Sequence, residues 1–324
     1  MNPSPSIEKC TSWKTAIINR LNGSHVTFEE LKSIQTEIGS NLPKFLYRYR
    51  SASNANHIDS LLAGEEWMAS PTTFNDPYDS AFCLNFEHLE ADLRSKNYLS
   101  SILKHTGLDS MLEVQAKQQI LNSPRPMLLL IDVLTQQGIL DGRAGLALKE
   151  VGEIGKERIL DEMRDATRVC CFSEDVTSTT MWSHYANNHR GFVIEYESAS
   201  LPKEYNAALF PVTYRESAPT SDEFLRQTSK INPVWRIAAA CIKSPDWAYE
   251  REWRMITWNT AFPDRSKGSA HPIKMPKPAR VLLGAKIDPH DRHLIEHICR
   301  SKGIESFVVR REPNRFQIDP FAPN

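Results

Sequence analysis

KFLYRYRSASNANHIDSLLAGEEWMASP, residues 44–71, reads as strand, helix and strand in immediate succession. KFLYRYR follows Pro43 and is rich in aromatics, the composition of a strand. SNANHIDSLLAG has Ser53 or Asn54 as an N-cap and Gly64 as a stop, which bounds a short helix. EWMAS is then a second strand, ended by Pro71. Further strands follow in RVCCFSE (168–174), GFVIEYE (191–197), LFPVTY (209–214) and WAYEREWRMITW (247–258). Helices are expected over TSTTMWSHYANNHRG (177–191, terminated at Gly191) and about Glu223–Lys243. VLLGAKI, HDRHLIEHICRSKG and SFVVRR close the chain as strand, helix and strand.

Two short strand-to-strand links rule out an all-parallel sheet. The expected class is α+β: a mixed, largely antiparallel sheet with flanking helices. Residues 86–165 are rich in Leu, Lys, Glu and Gln, are broken by NSPRP (122–126), and read as a helical insertion. Residues 1–40 read as an N-terminal helical extension or accessory helix, leaving 41–324 as one domain with that insertion.

The 39 basic and 40 acidic residues leave a formal charge of -1, so no global charge draws the chain to nucleic acid or membrane. No apolar run reaches the ~18 residues of a membrane span, and MNPSPSIEKC lacks a secretory core. A cytoplasmic protein with reduced thiols is the expectation, with no membrane partner. Cys170, Cys171, His184 and His189 superficially suggest zinc, but adjacent cysteines on a strand point to opposite faces. No metal site is assigned.

Four clusters carry candidate chemistry. On a strand, Arg48 and Arg50 share one face and Tyr47 and Tyr49 the other. Two guanidiniums ~7 Å apart suit a diphosphate, or else they are salt-bridge partners. Ser70 and Asn75, around SPTTFNDPYD, have polar groups for a sugar or amide, whereas Asp76 before Pro77 makes a helix N-cap. Trp182, His184 and Tyr185 form either the aromatic wall of a ligand pocket or core packing with a polar rim. In Tyr249-Glu250-Arg251-Glu252-Trp253-Arg254, a strand would place Glu250, Glu252 and Arg254 on one face. Two such carboxylates are costly to bury unless paired, with Arg48 and Arg50 for instance, or used in chemistry.

The blocks LYRYR, WMASPTTFNDPYD, CFSE, MWSHYANNHRGFVIEY and YEREWRMI resemble a bacterial family known only as a domain of unknown function. More distantly, the order strand with Arg, strand with Ser, strand with Glu-x-Glu is similar to ADP-ribosyltransferases of the Arg–Ser–Glu type. That resemblance implies NAD as substrate, with Arg48 on its phosphates and Ser70 supporting the nicotinamide ribose. Glu252 would stabilise the oxocarbenium-like state and Glu250 would steer the acceptor, a protein or nucleic acid. Arg50, Asn75, Trp182, His184, Tyr185 and Arg254 complete the expected NAD pocket. Such families act as toxins or antiviral defence effectors, which brings a regulatory or antitoxin partner into the expectation. The chain departs from the pattern at Ala69-Ser70-Pro71 and has no glycine-rich phosphate loop. Two other readings stand beside it. One is a metal-dependent nuclease using Asp76, Asp79, Glu250 and Glu252 around Mg²⁺. The other is a non-enzymatic module that senses a nucleotide.

Overall fold

A computed structural model describes residues 5–22, 26–80, 93–105, 107–143, 145–146, 164–165, 167–219, 234–258, 270–312, 314–315 and 318–320. The strands are β1 (Phe45–Arg50), β2 (Glu65–Ala69), β3 (Thr167–Ser173), β4 (Phe192–Glu197), β5 (Leu209–Pro211), β6 (Thr213–Tyr214) and β7 (Ile242–Lys243). After them come β8 (Glu252–Trp258), β9 (Ala270–Lys274), β10 (Arg280–Leu283), β11 (Glu305–Val308), β12 (Arg310–Arg311) and β13 (Ile318–Asp319).

The main sheet runs β11-β10-β4-β1-β3-β2-β9, with β8 on β3 and β5 on β8. All its pairs are antiparallel except β10 with β11, which are joined by the helix Pro289–Ser301. The α+β class and the mixed, largely antiparallel sheet stand as read. β6 and β7 form a separate parallel pair.

β3 organises the sheet. β8 pairs along its whole length, from Thr167 to Ser173, and so occupies one edge. β1 meets β3 only at Tyr47↔Ser173 and β2 only at Ala69↔Val169. Since a strand has two edges, β1 and β2 share the other one and diverge between those two points. The sheet forks at Cys171.

Side chains alternate across the sheet as strand geometry requires. Leu46, Phe192, Ile194, Val281 and Leu283 enter the principal core. Tyr47, Tyr49, Val193 and Leu282 enter a smaller core on the other face, against Met181 and Trp182. The N-terminal helices Pro5–Leu21 and Phe28–Ser40 add Ile17, Ile18, Leu21, Ile34 and Ile38 to the principal core. Thr27 caps the second of these helices, its hydroxyl accepting from Glu30 N–H while the Glu30 carboxylate accepts from Thr27 N–H. Within the expected insertion lie the helices Lys96–His105, Val114–Asn122 and Pro126–Gln136, with a core of their own around Leu103, Ile120 and Leu134.

LFPVTY and SFVVRR each divide into two strands, β5 and β6 and β11 and β12, and three element boundaries near the site also differ from expectation. The helix expected to Gly191 ends at His184, because Asn187, Asn188 and His189 all take left-handed backbone (φ 49°, 54° and 67°) and turn the chain back. The helix expected to Lys243 ends at Ala239 and gives way to β7, while the start of that expectation lies outside the described residues. The expected strand through Tyr249 and Glu250 is a 3₁₀ turn, Pro245–Glu250, and β8 begins only at Glu252.

Gly191 is demanded by packing: a Cβ there would collide with the Arg50 carbonyl oxygen and the Ala186 backbone. Gly39, inside the helix Phe28–Ser40, has nothing within 4 Å of such an atom. Gly191→Ala is expected to lower unfolding free energy by about 1–3 kcal/mol. Gly39→Ala should raise it by roughly 0.5–1 kcal/mol. Urea titration of the two variants checks both signs.

Candidate functional site

The fork holds a cavity of about 270 Å³. Arg48, Arg50 and Phe172 reach it from the principal-core face, while Tyr47, Tyr49, Cys171, Glu252 and Arg254 reach it from the other. An unbroken sheet would keep those two sets apart, so the divergence of β1 from β2 is what brings them together.

At one end sits Glu66, fully buried on β2. It accepts from Arg48 Nε (3.3 Å), from Arg50 Nη2, and from the Tyr196 hydroxyl (3.1 Å). Arg48 Nη1 donates to the Cys171 carbonyl, the backbone oxygen left between the two diverging strands. One carboxylate thus serves two guanidiniums. Arg50 is only 8% exposed, and its buried Nε has no hydrogen-bond partner among the described residues. Burial, and then the adjacent Arg48 charge, pull Arg50 below the usual guanidinium value, against Glu66. This end lacks negative charge. His57 lines the same end and is held neutral, pushed down to about 4 by burial and then by Arg50.

The other end reverses that balance. Arg254, with no exposed surface, donates Nη1 and Nη2 to the two Asp79 oxygens at 2.7 and 2.6 Å. Its Nε and Nη2 donate to Glu252 at 2.9 and 3.0 Å, and Nη1 also to the Ala240 carbonyl at 2.6 Å. Lys243 Nζ donates to Glu250 (2.6 Å) and Glu252 (3.2 Å) and stands 3.6 Å from Asp79. Two cations face three carboxylates here. Glu250 also accepts from the Tyr185 hydroxyl. Left-handed Arg251 (φ 45°) joins the 3₁₀ turn to β8 and lets Glu250 converge with Glu252 although only the latter is on the strand.

The two glutamates ionise differently. Burial, and then the charge of Glu252, raise Glu250 from 4.5 to about 7, against the pull of Lys243. Burial acts upward on Glu252 too, but Arg254 and Lys243 outweigh it and hold that carboxyl well below its usual range.

Seven residues expected at the site line this cavity: Arg48, Arg50, Asn75, Tyr185, Glu250, Glu252 and Arg254. Three do not. Ser70 is fully buried and caps the 3₁₀ turn Pro71–Thr73 through Thr72 N–H. Trp182 is a core residue whose Nε1 donates to the Val176 carbonyl at 2.8 Å. His184 is exposed, its Nδ1 2.9 Å from the Tyr249 hydroxyl. The common cleft expected for Arg48, Ser70, His184 and Glu252 therefore holds only the first and last. The expected pairing of Glu250 and Glu252 with Arg48 and Arg50 is replaced by Lys243 and Arg254, because β1 and β8 present those groups on opposite faces. Asp76 Oδ1 accepts from Tyr78 N–H in a turn, and a helix beyond Ser80 falls outside the described residues.

Sequence reasoning missed Glu66 and Lys243. The signal for Glu66 was its alternation with core Met68 in EEWMA, a charge on an inward face. Lys243 gave none, being assigned to a helix. Asp79 enters the sequence reading only as a metal ligand, and the structure makes it the bidentate partner of Arg254.

Residues 181–255 match the model of a family described as a protein of unknown function (DUF2971). This bears out the resemblance to a domain-of-unknown-function family over those residues, under a quarter of the chain. The match runs from Met181 through Tyr185, Lys243, Glu250 and Glu252 to Met255, and so contains Lys243, Glu250, Glu252 and Arg254 of the carboxylate end but neither Asp79 nor the Arg48–Glu66 end. No curated protein and no solved structure matches the chain. Among the described residues no helix is long and apolar enough to cross a membrane.

The two glutamates predict opposite stability profiles. Glu250 is raised in the folded state, so its contribution is complete below about pH 4.5 and is lost as pH rises through about 7. Glu252 is lowered, so its contribution is present above about pH 4.5 and is lost as pH falls. Glu250→Gln should therefore gain on wild type between pH 5 and 8, by up to about 3 kcal/mol. Glu252→Gln removes the carboxylate that Arg254 and Lys243 share and should cost about 3–5 kcal/mol at pH 7. Urea unfolding across that pH range reads both; identical profiles for the two variants would refute the assignment.

Proposed function

We propose that the fork cavity cleaves the glycosidic bond of NAD and passes ADP-ribose to an acceptor or to water, as in an ADP-ribosyltransferase. The observation that carries this reading is the division of the cavity. Two guanidiniums sharing one carboxylate stand at one end, and two glutamates with opposite ionisation stand at the other. The first arrangement suits phosphate oxygens, since Arg50 Nε is a buried donor with no partner among the described residues. The second suits a reaction in which one carboxylate must stay charged while the other takes up a proton. Tyr47, Tyr49, Phe74, Phe172 and Tyr185 supply flat walls for the ring of a nicotinamide nucleotide between them. At about 270 Å³ the cavity is near the small end of ligand sites, usually ~300–1,000 Å³, and suits one nucleotide half of the dinucleotide.

Glu252 already accepts from Arg254 and Lys243, so its contribution is a fixed negative charge beside the ribose carbon, where positive charge develops. Glu250, poised near 7, accepts the proton of a macromolecular acceptor as it attacks, whereas attacking water gives its proton to solvent. The nuclease reading is disfavoured because Asp79, Glu250 and Glu252 are all already engaged by Lys243 and Arg254, cations that stand where Mg²⁺ would sit. A role as a toxin or defence effector, with a regulatory or antitoxin partner, belongs to the same proposal.

Incubation with labelled NAD and cell lysate tests the reading. NAD loss should survive EDTA and fall about 10²–10³-fold in Glu252→Gln for every acceptor, water included. Glu250→Gln should depress transfer while sparing hydrolysis, and wild-type transfer should rise with pH through about 7 as Glu250 ionises. Intact NAD, or a cleavage that EDTA abolishes and Mg²⁺ restores, would overturn it; nucleotide binding without turnover would leave a sensor.

A further inference from the structure

A second concavity, of about 700 Å³, is lined by Thr179, His189, Arg310, Arg311 and Arg315, among others. It lies close to the first. The helix Thr179–His184 and the turn after it serve both, with Met181 and Tyr185 in the fork cavity and Thr179 and His189 here. One cross-strand row runs from Arg50 through Phe192 and Leu283 to Val308, which lines this groove. Three strand spacings, about 14 Å, therefore separate the guanidinium end of the fork from the groove at the same end of the sheet.

The groove is cationic in a chain whose formal charge is only -1. Arg310, Arg311 and Arg315 are exposed, and Lys286 follows Ala285 on the rim. None of the four makes an ion pair with another described residue. Burial, and then the charges of Lys286 and Arg311, lower His189, so positive potential reaches the groove wall. Among the described residues lining the groove Glu312 is the acidic one, and Asp319 is the cross-strand partner of Arg310. Exposed guanidiniums without carboxylate partners are planar forks ready for phosphate oxygens.

We propose that this groove holds the phosphodiester backbone of a nucleic-acid strand, and that this strand is the acceptor of the ADP-ribose released in the fork. The acceptor role rests on the NAD reading above; the binding does not. In the transfer step, a nucleophilic oxygen or nitrogen of the strand bonds to the ribose carbon. The bond to nicotinamide breaks with its electron pair leaving on nicotinamide, and the nucleophile's proton goes to Glu250.

Fluorescence anisotropy with labelled single-stranded 12-mers of RNA and of DNA tests the groove, with polyglutamate as competitor. Binding is expected with a slope of log K against log salt of about −1.5 to −2, the signature of two to three phosphate contacts. The Arg310→Ala/Arg311→Ala/Arg315→Ala variant should lose at least tenfold in affinity, and the corresponding triple Lys variant should keep most of it with an unchanged thermal midpoint. The RNA and DNA arms identify the strand. No binding at low salt, binding indifferent to the alanines, or equal displacement by polyglutamate would overturn the proposal. NAD hydrolysis measured in the same samples separates the two ideas. A wild type that binds the strand and leaves NAD intact rejects the acceptor role together with the NAD reading, and the groove assignment stands.

Discussion

Everything at this site follows from one strand edge being shared by two partners. β3 gives one edge to β8 and splits the other between β1 and β2. Where those two part, the Cys171 carbonyl would be a buried acceptor without a strand partner, a cost of about 1–3 kcal/mol. Arg48 supplies the donor. Having entered the fork, the guanidinium requires a counter-charge, and Glu66 on β2 provides one for both Arg48 and Arg50. The wedge is thereby held open by charged groups and does not collapse onto apolar side chains. It also exposes both faces of the sheet to one cavity.

The opposite wall is built on Arg254. A guanidinium without exposed surface is tolerable only when its donors are met, and Asp79, Glu252 and the Ala240 carbonyl meet them. Those carboxylates come from segments about 170 residues apart in sequence, so the pairing ties the FNDPYD turn to β8 across the insertion. Lys243 then links Glu250 to Glu252 and forces them to share one cation while differing in environment. The separation of their proton affinities follows from the burial of Glu250 beside the Glu252 charge and from Arg254, which of the two glutamates pairs with Glu252 alone.

The sequence carried the alternation of strands, and with it the opposite orientation of the Arg48–Arg50 and Tyr47–Tyr49 pairs on β1. It also carried the helical insertion and the convergence of residues from β1, the FNDPYD turn and the Glu-x-Glu segment. It could not show the fork, because two strands ending on one edge of a third is a tertiary fact with no local pattern. For that reason the pairing the sequence offers as one alternative, Glu250 and Glu252 with Arg48 and Arg50, is not the one formed, and only the alternation of a glutamate with core Met68 in EEWMA points to Glu66. His184 and Trp182 looked like pocket walls by composition. Their helix is cut short at His184 by three consecutive left-handed residues, a turn that Asn187 and Asn188 permit but do not announce.

The proposed chemistry turns on the unequal share of charge at Arg48, Arg50 and Glu66 as a seat for nucleotide phosphate. Calorimetric titration of the protein with ADP-ribose tests it most directly, comparing wild type with Arg50→Lys and Arg50→Met, each checked for an unchanged thermal midpoint. Saturable binding to wild type is expected, with partial retention with the lysine and at least a tenfold loss with the methionine, whose side chain has no donor for phosphate. Binding that is equal in all three, or no heat of binding to a folded wild-type protein, would contradict it.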